Sequence, residues 1–455
     1  MKYDLIIVGA GPAGIFASYE YSLLKSEGKV LLIDKGEDIY ERSNKANNKR
    51  KSITTGFGGS GAFSDGKYNI TSEFGGWLTE YLGIDKTLEL IKYVDSINLS
   101  HGATTVITDP TTPEVHEIEK KGIAYGLKLL KARVRHLGTE QNLQILISIY
   151  EELSKKIDMM FNTEVKDIIV EDGEVKGIII REDEVILCDN IFLAVGRVGA
   201  NWLEDICEQH KINMITNQVD IGVRVETNNI IMDDINNNLY EGKFVFNTSV
   251  GNLVRTFCSN PSGHVVIEDY KDKKIRLVNG HSYNDKKLGS ENTNFALLVS
   301  HHFDEPFTRP NDYAAMLGKL ANDLACGGVI VQRYGDILKG RRTTAKRLDE
   351  GFVRPTLKDA VPGDLGLVLP YNTMKSIIEM IEALDHITPG IANEHTLLYG
   401  LETKFYSARP EINNNCETKI KHLYVGGDGA GITRGLAQAS ANGVWVARAI
   451  LGVNK

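Results

Sequence analysis

One segment near the N-terminus limits what this chain can fold into more than any other. An apolar, β-branched run at residues 4–8 leads directly into Gly-Ala-Gly-Pro-Ala-Gly at residues 9–14, and a helical pattern of apolar residues follows. A second apolar run at residues 30–33 ends on Asp34, twenty residues after Gly14. Strand, G-x-G-x-x-G, helix, strand and acid, in that order, predict a βαβ unit that binds a dinucleotide.

Each part of this motif has a physical task. Gly9 permits the tight turn, and Gly11 lets the backbone approach a pyrophosphate without a side chain in the way. Gly14 lets the helix and the strand pack closely. Pro12 and Ala13 lie where the helical pattern follows the glycine turn, and the free N–H groups of the helix start are expected to face the phosphates.

The acid at the end of the second strand is the next predicted contact. Asp34 is placed to accept hydrogen bonds from the hydroxyls of the adenosine ribose. Residues 35–52 are polar and basic, beginning with Lys35 and including Arg42. They are expected to form a solvated helix or loop, from which a basic side chain such as Lys35 could reach the cofactor.

The C-terminal end of the chain indicates which dinucleotide binds. A buried-type strand at residues 422–425 runs into Gly427-Asp428, and a helical segment follows at residues 435–444. In flavoproteins with two dinucleotide folds, a late strand that ends in Gly-Asp places its carboxylate on the ribityl hydroxyls of FAD. The next helix directs its N-terminus at the flavin pyrimidine, where negative charge collects on reduction. These observations predict FAD, with further contacts at Gly435, Leu436 and Ala437.

A glycine-rich segment lies inside the same predicted domain. Residues 56–66 contain five glycines in eleven positions, which prevents a regular element and allows a ligand to approach the backbone. We expect Gly58, Gly59 and Ser60 to line the flavin ring or the pyrophosphate. A surface loop is the alternative.

A β-meander is predicted next, with strands at 161–170, 175–180, 185–188 and 191–195. The last of these runs into Gly196, whose missing side chain again allows close approach to the cofactor. Val165 is expected to contact the adenine through its main chain.

Two further regions complete the predicted organisation. Residues 71–135 have mainly helical patterns, at 78–82, 88–94 and 126–134. From residue 205 to 400 strands and helices mix. We therefore predict an α/β protein with a glutathione-reductase-type, FAD-binding Rossmann domain that is discontinuous. It comprises residues 1–204 and 401–455, with 71–135 as a helical extension, and residues 205–400 form an inserted mixed α/β substrate domain.

Candidate catalytic residues are weaker signals. Tyr406 and Arg409 lie just before the last FAD strand, so we expect Tyr406 to be a proton donor and Arg409 an anion anchor. Cys258 and His264 flank a Pro–Gly corner, where they would be a nucleophilic pair or part of a plain turn.

Two other polar segments are open to two interpretations. Arg341 and Arg342 would hold a substrate carboxylate or pair with Asp349 and Glu350. His136, between basic residues, is interpreted as a structural or solvated histidine rather than a flavin contact.

Composition excludes several classes of protein. The 455 residues carry a net charge of −8 without a basic block, which disfavours a nucleic-acid partner. No apolar run approaches the ~18 residues of a membrane helix. Five scattered cysteines without a C-x-x-C pair indicate no metal site, and residues 1–3 enter the first strand without a cleavable apolar region. We therefore expect a cytoplasmic protein without a membrane partner, and the sequence does not indicate an oligomeric state.

Four segments also resemble those of a known family: residues 56–67, 135–139, 404–407 and 427–435. They are similar to segments of the bacterial NAD(FAD)-utilising, FAD-dependent dehydrogenases, and the resemblance covers nearly the whole chain. More distantly the chain resembles geranylgeranyl-reductase-type flavoproteins. The resemblance implies FAD and redox chemistry on an unassigned substrate. Where relatives tend to carry Cys-x-Cys-Pro-Gly-Gly, residues 258–263 read Cys-Ser-Asn-Pro-Ser-Gly, so the second cysteine of a dithiol is missing.

The predicted reaction is hydride transfer between flavin N5 and a small organic substrate, such as one that bears a carboxylate. It would reduce an activated C=C bond or run the reverse dehydrogenation. Because no second G-x-G-x-x-G follows the first, NADH or NADPH is expected only as a transient donor. A flavin-dependent monooxygenase and an FAD-containing RNA-modifying or RNA-binding protein are the alternatives.

Overall fold

The protein is described by a computed structural model that covers residues 2–44, 53–240, 242–271, 273–283 and 286–454. Numbered in chain order, its helices are α1 (Pro12–Leu24), α2 (Ile39–Ser43), α3 (Leu78–Leu82), α4 (Ile84–Ser100), α5 (Pro113–Ala124), α6 (Gly138–Leu153), α7 (Ala200–Gln209), α8 (Asn229–Asn238), α9 (Pro310–Leu324), α10 (Tyr334–Leu338), α11 (Ala345–Asp349), α12 (Tyr371–Asp385) and α13 (Leu436–Ile450). In the described parts of the chain, no helix is both long enough and apolar enough to cross a bilayer.

The strands are β1 (Lys2–Val8), β2 (Val30–Ile33), β3 (Lys67–Ile70), β4 (Leu127–Leu130), β5 (Arg133–His136), β6 (Asp158–Met160), β7 (Asp167–Glu171), β8 (Glu174–Ile179), β9 (Val185–Leu193), β10 (Met214–Ile215), β11 (Val219–Asn228), β12 (Lys243–Asn247), β13 (Leu253–Asn260), β14 (His264–Tyr270), β15 (Ile275–His281), β16 (Asn292–His301), β17 (Ile330–Arg333), β18 (Val361–Pro362), β19 (Leu397–Lys404), β20 (Arg409–Pro410) and β21 (Leu423–Val425).

The chain divides into two compact units. The first comprises Met1–Asp109, Ala132–Asn217 and Ser407–Lys455, and the second comprises Pro110–Lys131 and Gln218–Tyr406. The first unit therefore ends its middle segment at residue 217 instead of the predicted 204. Its last segment begins at residue 407 instead of the predicted 401. Residues 110–131, assigned above to the helical extension, group with the second unit because β4 pairs with β12.

The first unit is built on a seven-stranded sheet, in which six strands follow the order β6-β2-β1-β9-β8-β7 and the seventh, β21, pairs with β9. Strand β1 is parallel to both β2 and β9, and β21 is parallel to the last residues of β9. Every residue of β2, and residues 5–8 of β1, are buried, as expected for parallel strands that are covered on both faces. This is a mixed α/β unit with a Rossmann-like fold.

Two helices of this unit pack unusually closely. A Cβ atom on Gly443 of α13 would lie 2.0 Å from the carbonyl oxygen of Ala13 in α1. Only a glycine permits this approach of one helix backbone to the other. The N-terminal and C-terminal ends of the chain thus meet within one unit.

The second unit contains an eight-stranded sheet with the order β18-β17-β19-β11-β16-β13-β12-β4. One face of its central strand β11 carries valine and isoleucine, which pack in an apolar core with residues of α9 and α12. The alternate positions of β11 carry Asp220, Arg224 and Glu226, none of which has exposed surface. Because side chains alternate between the faces of a strand, the polar face must satisfy these charges internally.

Most predicted elements of secondary structure are confirmed, and three predictions are wrong. The glycine-rich segment, which was expected to form no regular element, contains a 3-10 helix at Gly59–Phe63, preceded by Gly58 with a φ of +85°. The strands at 185–188 and 191–195 form a single strand, β9, because β1 pairs with it on both sides of Asp189 and Asn190. The helix predicted at 126–134 is instead β4 and β5. These strands find partners in β12 and β3, which local sequence patterns do not reveal.

Candidate functional site

A cavity of about 540 Å³ lies within the first unit. Segments from both chain ends line it, together with parts of the glycine-rich segment and the meander. Most of the predicted cofactor residues are among its lining: Gly9, Gly11, Pro12, Ala13, Asp34, Lys35, Gly59, Ser60, Val165, Gly196, Gly427, Asp428, Gly435 and Leu436. The lining does not include the other three, which are Gly14, Gly58 and Ala437.

The glycines of the first motif have the separate tasks that the sequence predicts. A Cβ on Gly14 would lie 1.9 Å from the carbonyl oxygen of Gly9, so this position supports packing only. Gly9 has a φ of +107°, and a Cβ there would lie 2.3 Å from the oxygen of Ala194. At Gly11 an added Cβ meets no heavy atom of the described residues within 4 Å. Gly11 therefore leaves open space at the start of α1, which fits the approach of a pyrophosphate.

Asp34 lies at the end of β2, as predicted, but its carboxylate accepts hydrogen bonds from three backbone N–H groups. The N–H of Ala10 donates to Oδ2 at 2.8 Å, and the N–H groups of Gly36 and Gly56 donate to Oδ1 at 2.8 Å each. Asp34 therefore has a structural task in addition to the predicted contact with the ribose. Most of its acceptor capacity organises the protein.

The glycine-rich segment is held by a residue that we expected in solvent. Arg42 of α2 is buried, and its guanidinium donates to the carbonyl oxygens of Ile53 (3.1 Å), Gly59 (2.9 Å) and Phe57. The basic residues Lys45, Lys49, Arg50 and Lys51 lie outside the described residues. Gly58 also contributes to this packing, because its N–H donates to the oxygen of Ala10 at 2.8 Å.

The C-terminal Gly-Asp turn borders the same cavity. Asn442 of α13 accepts the N–H of Gly427 at 2.8 Å, and Thr433 donates to Oδ1 of Asp428 at 2.7 Å. Burial raises the pKa of the Asp428 carboxyl above its usual value, while the guanidinium of Arg197 acts in the opposite direction. The N–H of Gly435 donates to the second oxygen, Oδ2, at 3.4 Å. Because this contact is long, Oδ2 can still accept a hydroxyl of a bound cofactor.

The first turn of α13 faces the cavity. Gly435 and Leu436 are among the lining residues, and Gly435, with a φ of +109°, has no heavy atom within 4 Å of an added Cβ. Free N–H groups at a helix start favour negative charge. The arrangement fits the predicted pyrimidine end of a flavin.

Several lining residues escaped the sequence-based prediction. Arg197 and Arg434 stand next to the predicted glycines Gly196 and Gly435, so their position along the chain was a usable signal. Trp202 of α7 also lines the cavity, and its indole N–H donates to the oxygen of Lys166 at 2.9 Å. No local pattern marked Trp202, because only the fold brings α7 to the cavity.

Tyr406, the predicted proton donor, is buried in the second unit. Its hydroxyl donates to Oδ2 of Asp220 at 2.5 Å. Arg255 donates to the same oxygen at 2.9 Å, and Gln218 donates to Oδ1 at 2.9 Å. A fully buried carboxylate thus fixes the orientation of the phenol. Nothing in the sequence had singled out Asp220.

Arg409, the predicted anion anchor, lies in the first unit. Its guanidinium forms an ion pair with Glu80 at 2.7 Å and lies over the ring of Trp77, with 5.6 Å to the centroid. An anion at this position would have to share or displace the Glu80 carboxylate. The structure thus gives Arg409 an internal partner that the sequence did not predict.

Cys258 and His264 do not form a hydrogen-bonded pair in the part of the chain that the structure describes. A ring nitrogen of His264, Nε2, lies 2.9 Å from the oxygen of Leu288, and the Cys258 carbonyl accepts a hydrogen bond from Arg224. The Pro–Gly corner between β13 and β14 is present as predicted. Its geometry favours the plain turn over a nucleophilic pair.

Arg341 pairs with an acid other than those expected. Its Nε lies 2.7 Å from Oδ1 of Asp336, whose other oxygen binds Arg347 at 3.1 Å and the Thr343 hydroxyl at 2.7 Å. Asp349 and Glu350 were the predicted partners. Asp336 was missed because α10 turns this buried carboxylate back toward the loop. Arg342, like His136, is exposed.

Comparison with known proteins bears on the cofactor. A family model described as "FAD-dependent protein, C-terminal domain-like" matches residues 218–405, which nearly coincide with the longer segment of the second unit. In the first unit, the cavity joins the G-x-G-x-x-G turn to the Gly-Asp turn. The cofactor of this chain is FAD.

Similar proteins do not specify the reaction. An uncharacterised protein of Clostridium beijerinckii is 27% identical over 480 residues, which cover 99% of this chain and 81% of that protein. Glycine oxidase from Geobacillus kaustophilus is 12% identical and covers 100% of this chain and 96% of its own, with a TM-score of 0.39. L-proline dehydrogenase from P. horikoshii is 11% identical and covers 99% and 94%, with a TM-score of 0.38. These likenesses support no inference about the substrate.

Proposed function

We propose that this FAD-dependent oxidoreductase transfers a hydride between flavin N5 and a small organic substrate, reducing an activated C=C bond or running the reverse dehydrogenation. The observation that carries the proposal is the cavity of the first unit, which the two predicted glycine turns line together. Reduction of a C=C bond adds one hydride and one proton, so the protein must hold a proton donor in addition to the cofactor. Bound FAD supplies the hydride chemistry.

The residues of the first unit that would hold FAD follow from the cavity. Gly11 and the start of α1 would face the pyrophosphate, Asp34 the ribose, and Asp428 the ribityl chain. The first turn of α13 would stabilise negative charge on the flavin. With this assignment we propose a glutathione-reductase-type arrangement, in a cytoplasmic protein that acts on small molecules rather than nucleic acid. The likeness to geranylgeranyl reductases stays a prediction.

Tyr406 is the proposed proton donor, and Asp220 is its positioning residue. Because the carboxylate accepts the phenolic hydrogen and is itself held by Arg255, the phenol has one preferred orientation. A donor of fixed orientation loses little entropy when the substrate binds. Arg409 remains a proposed contact for a carboxylate-bearing substrate, which would have to displace the Glu80 carboxylate from its ion pair with Arg409. The contacts of His264 do not support a catalytic role for this residue.

Anaerobic mixing of the purified holoprotein with NADH and NADPH, in separate cuvettes, tests the direction of the reaction. Bleaching of the oxidised flavin by either donor, followed by reoxidation with 2-cyclohexenone or fumarate, would support a C=C reductase. These two acceptors compare a neutral alkene with one that bears carboxylates. Bleaching by a saturated substrate without a nicotinamide would support the dehydrogenase direction.

Two results would contradict the proposal. Oxygen consumption that depends on substrate and yields a hydroxylated product would indicate a monooxygenase instead. A salt-dependent shift of RNA, together with flavin chemistry only when RNA is present, would indicate an RNA-modifying protein.

A further inference from the structure

The carboxylate of Asp34 connects three separate parts of the first unit. Oδ2 accepts the N–H of Ala10, in the pyrophosphate turn. Oδ1 accepts the N–H of Gly36, in the turn after β2, and the N–H of Gly56, in the glycine-rich segment. All three donor–acceptor distances are 2.8 Å, which is typical of a strong hydrogen bond from an amide N–H to a carboxylate.

These contacts limit what Asp34 can do for a ligand. The two oxygens of a carboxylate offer about four acceptor positions. Gly36 and Gly56 take both positions on Oδ1, and Ala10 takes one on Oδ2. One position is left, whereas a ribose presents two neighbouring hydroxyls. A bound ribose could therefore use only the smaller part of the hydrogen-bond acceptor capacity of Asp34.

The backbone around Asp34 is built to bring these amides together. A Cβ on Gly36 would lie 2.3 Å from the nitrogen of Gly56, and a Cβ on Gly56 would lie 2.3 Å from the oxygen of Glu37. The N–H of Phe57 donates to that same oxygen of Glu37 at 3.1 Å. The two segments thus touch through bare backbone, and the Asp34 carboxylate lies at their junction.

We propose that Asp34 is a positioning residue that assembles the wall of the FAD cavity, by fixing residues 53–61 against the pyrophosphate turn before the cofactor binds. Arg42 holds the same residues from the other side through three carbonyl oxygens. An anion on the N–H groups and a cation on the carbonyls together anchor the start of the glycine-rich segment, ahead of its 3-10 helix at Gly59–Phe63. This role is independent of the substrate and of the reaction direction.

Asp34→Asn separates this role from ribose binding. Asparagine has one acceptor oxygen and one donor nitrogen, so in either orientation its NH₂ faces a backbone N–H. An asparagine can still bond a ribose hydroxyl, which both donates and accepts. Glu164→Gln is a matched control, because Glu164 also lines the cavity but is exposed, and it forms an ion pair with Lys35 at 3.8 Å.

Hydrogen exchange with mass spectrometry tests the proposal on wild type, D34N and E164Q, each FAD-free and FAD-saturated. In FAD-free wild type we expect peptides covering 34–37 and 53–61 to be protected. In D34N we expect them to exchange about tenfold faster or more, with and without FAD, because a partly buried hydrogen bond to a charged group is lost. E164Q should match wild type. A peptide covering 145–149 of α6 reports whether each sample is folded.

The proposal would be overturned if the peptide 53–61 exchanged equally fast in FAD-free wild type and D34N, and gained protection only when FAD bound. That result would leave Asp34 as a ribose acceptor alone. Equal protection of FAD-saturated wild type and D34N would also overturn it. The wild-type measurement does not require any variant to fold.

Discussion

The hydroxyl of Tyr406 donates to the carboxylate of Asp220 across 2.5 Å, although the two residues are 186 positions apart in the chain. A similar contact exists on the same sheet, where Tyr399 donates to Glu226 at 2.5 Å. Both carboxylates belong to β11 and have no exposed surface. The second unit thus contains two buried phenol–carboxylate pairs. Of their four residues, the sequence singled out Tyr406 alone.

We expect Tyr406→Phe to lower kcat about 100-fold or more, because general acid catalysis contributes this much when the donor is lost. The KM for the substrate and the spectrum of bound flavin should change little. Stopped-flow reoxidation of the reduced enzyme by an alkene acceptor measures the effect.

Tyr399→Phe is the matched control for this prediction. It removes a hydroxyl with the same kind of partner from the neighbouring pair, so it should cost stability without a comparable loss of kcat. Equal losses of kcat in both variants would show that the Tyr406 effect is structural.

Glu226 should make the stability of the protein depend on pH. Burial raises the pKa of its carboxyl, against hydrogen bonds from Thr356 and Tyr399 that lower it. With a folded pKa above the unfolded value, its favourable contribution is complete below the unfolded pKa and is lost as the pH rises through the folded pKa. Wild type should therefore lose stability relative to Glu226→Gln as the pH rises above about 4. Urea unfolding at a series of pH values measures this difference, and a constant difference would contradict it.

Gly11→Ala and Gly14→Ala should affect different properties, FAD affinity and thermal stability respectively, although both residues lie in one motif. The Gly11 variant should keep the melting temperature of the FAD-free protein and lose FAD affinity, because its methyl enters open cavity space. The Gly14 variant should melt several degrees lower, since its methyl meets the Gly9 oxygen at 1.9 Å. Thermal melts and flavin-fluorescence titrations separate the two. Equal melting losses would contradict the assignment of tasks.

Asn442→Ala should weaken FAD binding about tenfold, because the N–H of Gly427 loses its buried acceptor and the Gly-Asp turn loses its position. Cys416→Ser serves as the control. Asn442 also donates to the Cys416 sulfur at 3.3 Å, and this second contact does not reach the turn. A similar loss of FAD affinity in both variants would place the effect in general packing.

Local sequence patterns predicted the first unit well. The run from β1 through G-x-G-x-x-G to Asp34 encodes its own geometry, because a buried parallel strand, a glycine turn and a helix start are all local requirements. The same reasoning failed for β9, where Asp189 and Asn190 suggested a break. Pairing with β1 along both sides of these residues outweighed their local preference.

The candidate site was predicted where glycine turns mark it, and missed where distant segments meet. Gly11, Gly427 and Gly435 line the cavity as expected, whereas Trp202 reaches it from a helix without any motif. Arg42 was assigned to solvent because a basic residue in a polar stretch is usually exposed. Its burial depends on carbonyl groups 11 to 17 residues later in the chain.

By itself, the sequence determined that the chain has a dinucleotide fold and that two glycine turns, one near each end, approach the cofactor. These features depend on backbone freedom and on strand and helix periods, which are local properties of a chain. The tertiary structure alone decided which charges are buried and what they bind, as for Asp34, Asp220 and Arg42. A buried charge requires partners, and those partners come from segments that only the fold brings together.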